Sequence, residues 1–308
     1  MIHDESLPDR VAEHLSDDRL AIFLVHGVIP RQVHPVRNYT GKHLEADLFA
    51  KVIARLARKG HALSMDEILA HCESGTPFPP RAFAMTFDDG FENNLSVAAP
   101  IMADHKVRSM IYITSGFIEE NGMSWIDRIE YAVEDAPIQD LAVDWAPRPF
   151  RLGDAASRIE FLRAVRKHVK NDPKVAPNAF ADVLCARLGK PGRLSSQDPL
   201  DLKLSWNQVR DAGGGLMTFG GHSHTHPILS FLSPSELAFE LDTSLALMKD
   251  KSGIGPVHYS YPEGLAHCFS DEVIAQLKAR GVRCCPTAID GLNPPGTDPF
   301  LLRRVMVA

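Results

Sequence analysis

An apolar run over residues 82–87 ends in Asp88-Asp89-Gly90. Carboxylates at such a point are costly to bury unless they are paired or hold a metal ion. The C-terminal ends of strands in α/β sheets are also where active sites are built. Successive strand residues point to opposite sides, so the two acids can divide the work, one holding a metal and the other handling a proton. The same residues suit an Asx turn closed by glycine, and the local sequence leaves both uses open.

A second cluster, Gly220-Gly221-His222-Ser223-His224-Thr225-His226-Pro227, follows another strand-like run. His222 and His226 share a face if the segment turns as a helix, and all three histidines share one if it is extended. In either geometry two or three imidazoles converge. One carboxylate with two imidazoles leaves a coordination position open, which is the donor pattern of a catalytic metal site. Most of the 14 histidines show no such grouping: His34, His43, His61, His71, His105, His168, His258 and His267 are scattered. Whether the acidic and imidazole clusters meet depends on the fold.

Short β-branched runs alternate with helical patterns, which argues for βα units around a parallel sheet. Strands are predicted at 21–25, 82–87, 109–114, 216–219, 257–261, 282–288 and 304–307. Residues 45–59 place Leu48, Val52, Ile53 and Leu56 on one helical face and stop at Gly60. Capping boxes at Ser64 with Glu67, Ser205 with Gln208 and Ser233 with Glu236 mark three more helix starts. A further helix runs from Ser270 to Gly281. Residues 124–202 break the rhythm. They read as a polar, helical insertion with proline-rich joints at 146–149 and 171–177, inside a single domain spanning 1–308.

With 44% hydrophobic and 23% charged residues the chain is an ordinary globular protein. Its 33 basic against 39 acidic residues give a formal charge of -6, so neither nucleic acid nor an anionic membrane is an expected partner. The five cysteines are odd in number and form no C-x-x-C pair, which supports neither a disulfide framework nor a thiolate zinc site. The acidic N-terminus does not read as a signal peptide, and no apolar run approaches the roughly 18 residues of a spanning helix. The expected location is cytoplasmic.

The run Thr86-Phe87-Asp88-Asp89-Gly90, with the H-S-x-x-H form at His222 to His226 and its trailing Pro-Ile-Leu-Ser, resembles the polysaccharide deacetylase superfamily. That superfamily is also called the NodB homology domain or carbohydrate esterase family four. Similarity continues through residues 204–210, 259–264 and 293–300, and residues 125–131 resemble the start of the helical insertion found in one branch. It covers the chain from about residue 20 to the C-terminus. The resemblance implies a distorted (β/α)7 barrel with a helical insertion and a site at the strand C-termini. It makes Asp89, His222 and His226 the metal ligands and Asp88 the general base, and leaves His224 outside the ligand set. It also implies a carbohydrate substrate and a divalent ion, zinc foremost, with cobalt, nickel and manganese compatible with the same donors.

The chain departs from the family pattern in two places. The usual general acid, a histidine on the last apolar strand, is missing from Leu301 to Ala308, whereas the first strand ends in His26. The resemblance to the branch with that motif moved to the N-terminus makes His26 the general acid. Of the family's Arg-x-Pro-Tyr motif only Pro262 remains, in Ser260-Tyr261-Pro262-Glu263. The backbone N–H of Glu263 is then the oxyanion donor, and Tyr261, Pro262 and Trp125 are the substrate contacts. The arginine that orients the base would have to come from Arg303 or Arg304. The expected reaction is removal of an N-acyl group, acetyl foremost, from an amino-sugar-containing saccharide or precursor. Two alternatives stay open: a deformylase or other C–N hydrolase acting on a nucleotide sugar or non-sugar amide, and a catalytically silent carbohydrate-binding relative.

Overall fold

A computed structural model describes residues 5–190, 196–255 and 257–308. A short helix, α1 (Leu7–Ala12), precedes the first strand, β1 (Ala21–Val25). The small pair β2 (Gly27–Ile29) and β3 (His43–Glu45) leads into α2 (Ala46–Lys59), β4 (His61–Ala62) and α3 (Met65–Ser74). Then come β5 (Ala82–Phe87), α4 (Ala99–Asp104), β6 (Ser109–Ile113) and α5 (Ser115–Glu120). The insertion holds α6 (Trp125–Asp135), β7 (Gln139–Leu141), β8 (Phe150–Leu152), α7 (Ala155–Asn171) and α8 (Pro177–Arg187). After it follow α9 (Trp206–Ala212), β9 (Met217–Gly221), α10 (Pro234–Ser252), α11 (Asp271–Ala279) and β10 (Val305–Met306). All three capping boxes close, at the starts of α3, α9 and α10.

The main sheet is parallel in the order β10-β1-β5-β6-β9, with β4 beside the start of β5. Every residue of β1, β5 and β6 is buried, as continuous apolar strands covered on both faces must be. The register sets Val25 beside Phe87 and Ile113 beside Gly221. β1, β5, β6 and β9 therefore end near one level, with His26, Asp88 and His222 just beyond three of those ends. Only β6 separates β5 from β9, so the acidic and imidazole clusters meet.

Two predicted strands do not form as strands. Residues 257–261 and 282–288 make only isolated bridges, Gly221 to Tyr259 and His258 to Cys284. Pro262 and Pro286 have no N–H to continue a ladder. Hydrogen bonds nevertheless carry on around this side, from Ser260 N–H to the Gly221 carbonyl (2.8 Å) and from Tyr259 N–H to the Cys284 carbonyl (2.9 Å). Thr287 N–H then donates to the Leu302 carbonyl (2.8 Å) and Arg304 N–H to that of Ile289 (3.1 Å), bringing the circuit back to β10.

The insertion differs from the expected polar helical segment. It contains the antiparallel hairpin β7–β8, and it buries a core of its own that includes Ile129, Val133, Phe161, Leu162 and Val165. Amphipathic helices average to a polar composition while hiding such a face. On α6 the opposite face is acidic, with Asp127, Glu130 and Glu134 three and four residues apart. Glu134 accepts the Val36 and Arg37 N–H groups (3.1 and 2.8 Å) and meets His34 Nδ1 (2.8 Å). Glu130 accepts the Asn38 N–H (3.1 Å), and Asp127 holds Lys42 Nζ (3.2 Å). These contacts pin the 34–42 loop over the strand ends. All five cysteines are unpaired, and among the described residues no helix is long and apolar enough to cross a membrane.

The paired glycines before His222 are explained by the close passage of residues 258–260. A Cβ on Gly221 would lie 2.5 Å from the Tyr259 ring, and one on Gly220 2.8 Å from the His258 carbonyl. Gly221→Ala is therefore expected to cost about 1–3 kcal/mol through overpacking. The measurement is the urea unfolding midpoint, and an unchanged midpoint would contradict this account of the close contact.

Candidate active site

At the end of β5 the backbone leaves the sheet abruptly. The Asp88 N–H still bonds the Val25 carbonyl (3.1 Å), whereas Asp89 and Gly90 have φ of 74° and 70°. A left-handed non-glycine residue costs on the order of 1–3 kcal/mol and persists only where its surroundings hold it. The turn sends the two carboxylates to different partners. Asp88 is gripped by Arg304, Nη1 to Oδ1 and Nη2 to Oδ2, both at 2.8 Å. Arg304 is itself 1% exposed and also donates to the Thr287 carbonyl (2.6 Å), Ser260 Oγ (2.8 Å) and Thr86 Oγ1 (3.3 Å). Burial pushes the Asp88 carboxyl up, but the guanidinium outweighs it and holds the group below its ordinary value.

Asp89 faces the other way. Its Oδ2 receives Lys42 Nζ at 3.0 Å, while its Oδ1 is buried without a hydrogen-bond partner among the described residues. That oxygen lies 3.4 Å from His226 Nε2 and 3.8 Å from His222 Nε2. The ligand atoms of Asp89, His222 and His226 all lie within 4.8 Å of one another. The His222 Nδ1–H donates to the Ser260 carbonyl (2.8 Å), which leaves the Nε2 lone pair free to face inward. The loop that returns His226 uses positive φ at Ser223 and His226 (65° and 63°). Ser223 Oγ accepts the His226 N–H (2.9 Å), and the Glu240 carboxylate accepts the His224 and Thr225 N–H groups (2.8 Å each). An orphaned carboxylate oxygen facing two imidazole nitrogens fits a divalent cation of the zinc type.

Around this point lies a cavity of about 290 Å³. His26 lines it from the end of β1. Burial pushes the His26 imidazole down to about 4 despite the nearby Asp89 and Asp88 charges, so the ring is neutral at neutral pH. Glu263, also left-handed with φ 59°, lines the same cavity and pairs with Lys170 of α7. Burial raises its carboxyl, but Lys170 prevails and holds it at about 2. The Glu263 N–H donates to no group among the described residues. The insertion supplies Trp125, Arg166 and Lys170 to the same cavity.

Four candidates from the sequence sit elsewhere or differently. Tyr261 is a core residue, stacked on Phe269 at 4.5 Å between ring centres, with its hydroxyl donating to the Phe300 carbonyl (3.3 Å). The buried Pro262 is not among the cavity-lining residues. Trp125 touches the cavity but is 5% exposed and packs mainly in the insertion core. Arg303 is exposed and donates to the Asp290 carbonyl (3.1 Å), so only Arg304 meets Asp88. His224 turns its Nδ1 to Ser115 Oγ (2.9 Å), away from the triad. Sequence reasoning missed Lys42, Asp127, Arg166 and Lys170. The one available signal was the acidic stripe on α6, which asks for cationic or N–H partners.

No curated protein matches this sequence. The fold is similar to that of the Streptococcus pyogenes deacetylase PplD, at 14% identity and TM-score 0.60, covering 94% of this chain and 92% of that one. IcaB from Ammonifex degensii is similar at 16% identity and TM-score 0.58, with 95% and 93% covered. A de-N-acetylase from Aggregatibacter actinomycetemcomitans gives 15% identity and TM-score 0.58, with 94% of each chain covered. At such identities the likeness establishes the fold. Residues 188–285, which carry His222, His226 and the 259–264 segment, match the polysaccharide deacetylase family itself. That segment of the chain is thus similar to polysaccharide deacetylases, and the fold of the whole is the one seen in the solved deacetylase structures.

Proposed function

We propose that this protein is a metal-dependent deacetylase that frees the nitrogen of an N-acetylated amino sugar within a saccharide. The observation that carries this reading is the divergence of the adjacent acids, Asp88 into the fork of Arg304 and Asp89 Oδ1 towards His222 and His226. A divalent ion held by Asp89, His222 and His226 would polarise the amide carbonyl and lower the pKa of water.

The chain's own groups supply the proton transfers. Asp88 is ionised and 3.9 Å from His222 Nε2, so it stands beside the reacting point and takes the proton of the attacking water. Arg304 fixes both of its oxygens, which orients the base and keeps it deprotonated at the cost of some basicity. The Glu263 N–H serves the developing oxyanion, a role that needs no particular side chain. His26 starts neutral, so it protonates the leaving amine with a proton gained during the cycle. Asp88, which has just received one from water, is the donor at hand.

Acetate release from N-acetylated amino-sugar oligomers is expected to stop in a chelator and return with added divalent metal; turnover indifferent to chelation would refute the reading. Asp88→Asn is expected to keep its metal content while losing on the order of 10²–10⁴ in kcat, whereas His222→Ala loses both metal and turnover. Full metal retention in His222→Ala would remove it from the ligand set. Arg304→Lys keeps a charge but loses the fork. Because Arg304 lowers the Asp88 pKa, the acidic limb of the kcat/KM profile should move to higher pH in that variant, and an unmoved limb would separate Arg304 from the base.

A further inference from the structure

We infer that Lys42 and Asp127 are positioning residues of the metal site, through which the insertion sets both the orientation and the charge of Asp89. The inference rests on the metal-site reading above. Lys42 Nζ has three donors, and three carboxylate oxygens surround it: Asp89 Oδ2 at 3.0 Å and both oxygens of Asp127 at 3.2 Å. It also lies 4.7 Å from the centre of the Phe91 ring and lines the cavity. Asp127 is buried on the first turn of α6, with its N–H accepted by Ser124 Oγ (3.2 Å).

Two consequences follow from this arrangement. A free carboxylate can rotate and offer either oxygen, or both, to a cation. With Oδ2 engaged by Lys42, Asp89 offers Oδ1 alone, the oxygen that faces His222 and His226. Partners of this kind behind a ligand are worth 10- to 100-fold in metal affinity. The second consequence concerns charge. An ammonium beside a metal ligand opposes a second cation, but Asp127 balances Lys42, so the Asp89 charge stays available to the ion. Without Asp127, Lys42 would lean on Asp89 alone and compete with the metal for it. α6 belongs to the insertion, so the metal site is completed by a segment outside the main sheet.

Zinc affinity of the metal-stripped full chain, measured by calorimetry alongside its metal-free thermal midpoint, tests this. Asp127→Asn is expected to weaken zinc binding by about 10-fold or more, because it leaves Lys42 uncompensated. The double variant Lys42→Met with Asp127→Asn removes one charge of each sign, so the net local charge is unchanged, and the buried Lys203 keeps Asp89 and Asp201 as its nearby acids. This variant is also expected to weaken binding, by about 10- to 100-fold, because Asp89 loses its orienting partner. Zinc affinity of the double variant within about twofold of the unaltered protein, at any thermal midpoint, overturns the inference while leaving the triad intact. Equal zinc binding by the unaltered protein and His222→Ala overturns the metal site itself, and this inference with it.

Discussion

The site depends first on a guanidinium and a carboxylate held together almost wholly out of water. Burying such a pair is expensive, and attraction between the two ions repays the cost only when every remaining donor is satisfied. Arg304 meets that condition. Its five N–H donors find the Thr287 carbonyl, Thr86 Oγ1, Ser260 Oγ and both oxygens of Asp88. The acceptors come from β5, from the irregular 260 and 287 segments, and the arginine itself comes from the residue before β10. One side chain thus ties together the part of the ring where regular strand pairing fails.

Ser260 couples this pair to the candidate metal ligands. Its hydroxyl accepts from Arg304 and its carbonyl accepts from His222 Nδ1. Asp88, through Arg304, and His222 are therefore positioned from the two ends of one residue, whose N–H is in turn bonded to Gly221. The close approach that this needs is what the glycine pair in β9 permits. A shift of the 258–260 segment would move Arg304 and His222 together, which is a stronger constraint than two independent hydrogen bonds.

Much of this was legible in the sequence because it is local. Asp88 and Asp89 follow an apolar run, His222 and His226 follow another, and period and turn chemistry suffice to place them at strand ends. Arg304 was readable only as one of two adjacent arginines, since alternation along the chain does not say which faces inward. The α6 acids that include Asp127 asked for partners, but Lys42 was not readable as one of them, because the two are 85 residues apart and nothing in either local sequence names the other. Tyr261 misled for a similar reason: a tyrosine beside a motif proline suggests a sugar contact, but its ring is consumed by Phe269 and the core. Residues 257–261 and 282–288 have strand-like composition, yet the prolines that follow or interrupt them limit pairing to isolated bridges.

The charges around the cavity show what the assembled site favours. Asp88 is answered by Arg304, Asp89 Oδ2 by Lys42, and Glu263 by Lys170. Each acid thus has a cation, and none needs a proton to be buried. The imidazoles lie on the same side of this balance. Burial is the largest influence on both His26 and His222, and it lowers each below the ordinary histidine value even with carboxylates nearby. Metal ligands must be deprotonated to bind, so protons and metal ions compete for them. At His222 protons are already disfavoured at neutral pH, while one carboxylate oxygen and two ring nitrogens lie close around a common point. Desolvation of this kind would repel a lone charge, but it suits an ion that brings two positive charges to donors that have no other partner.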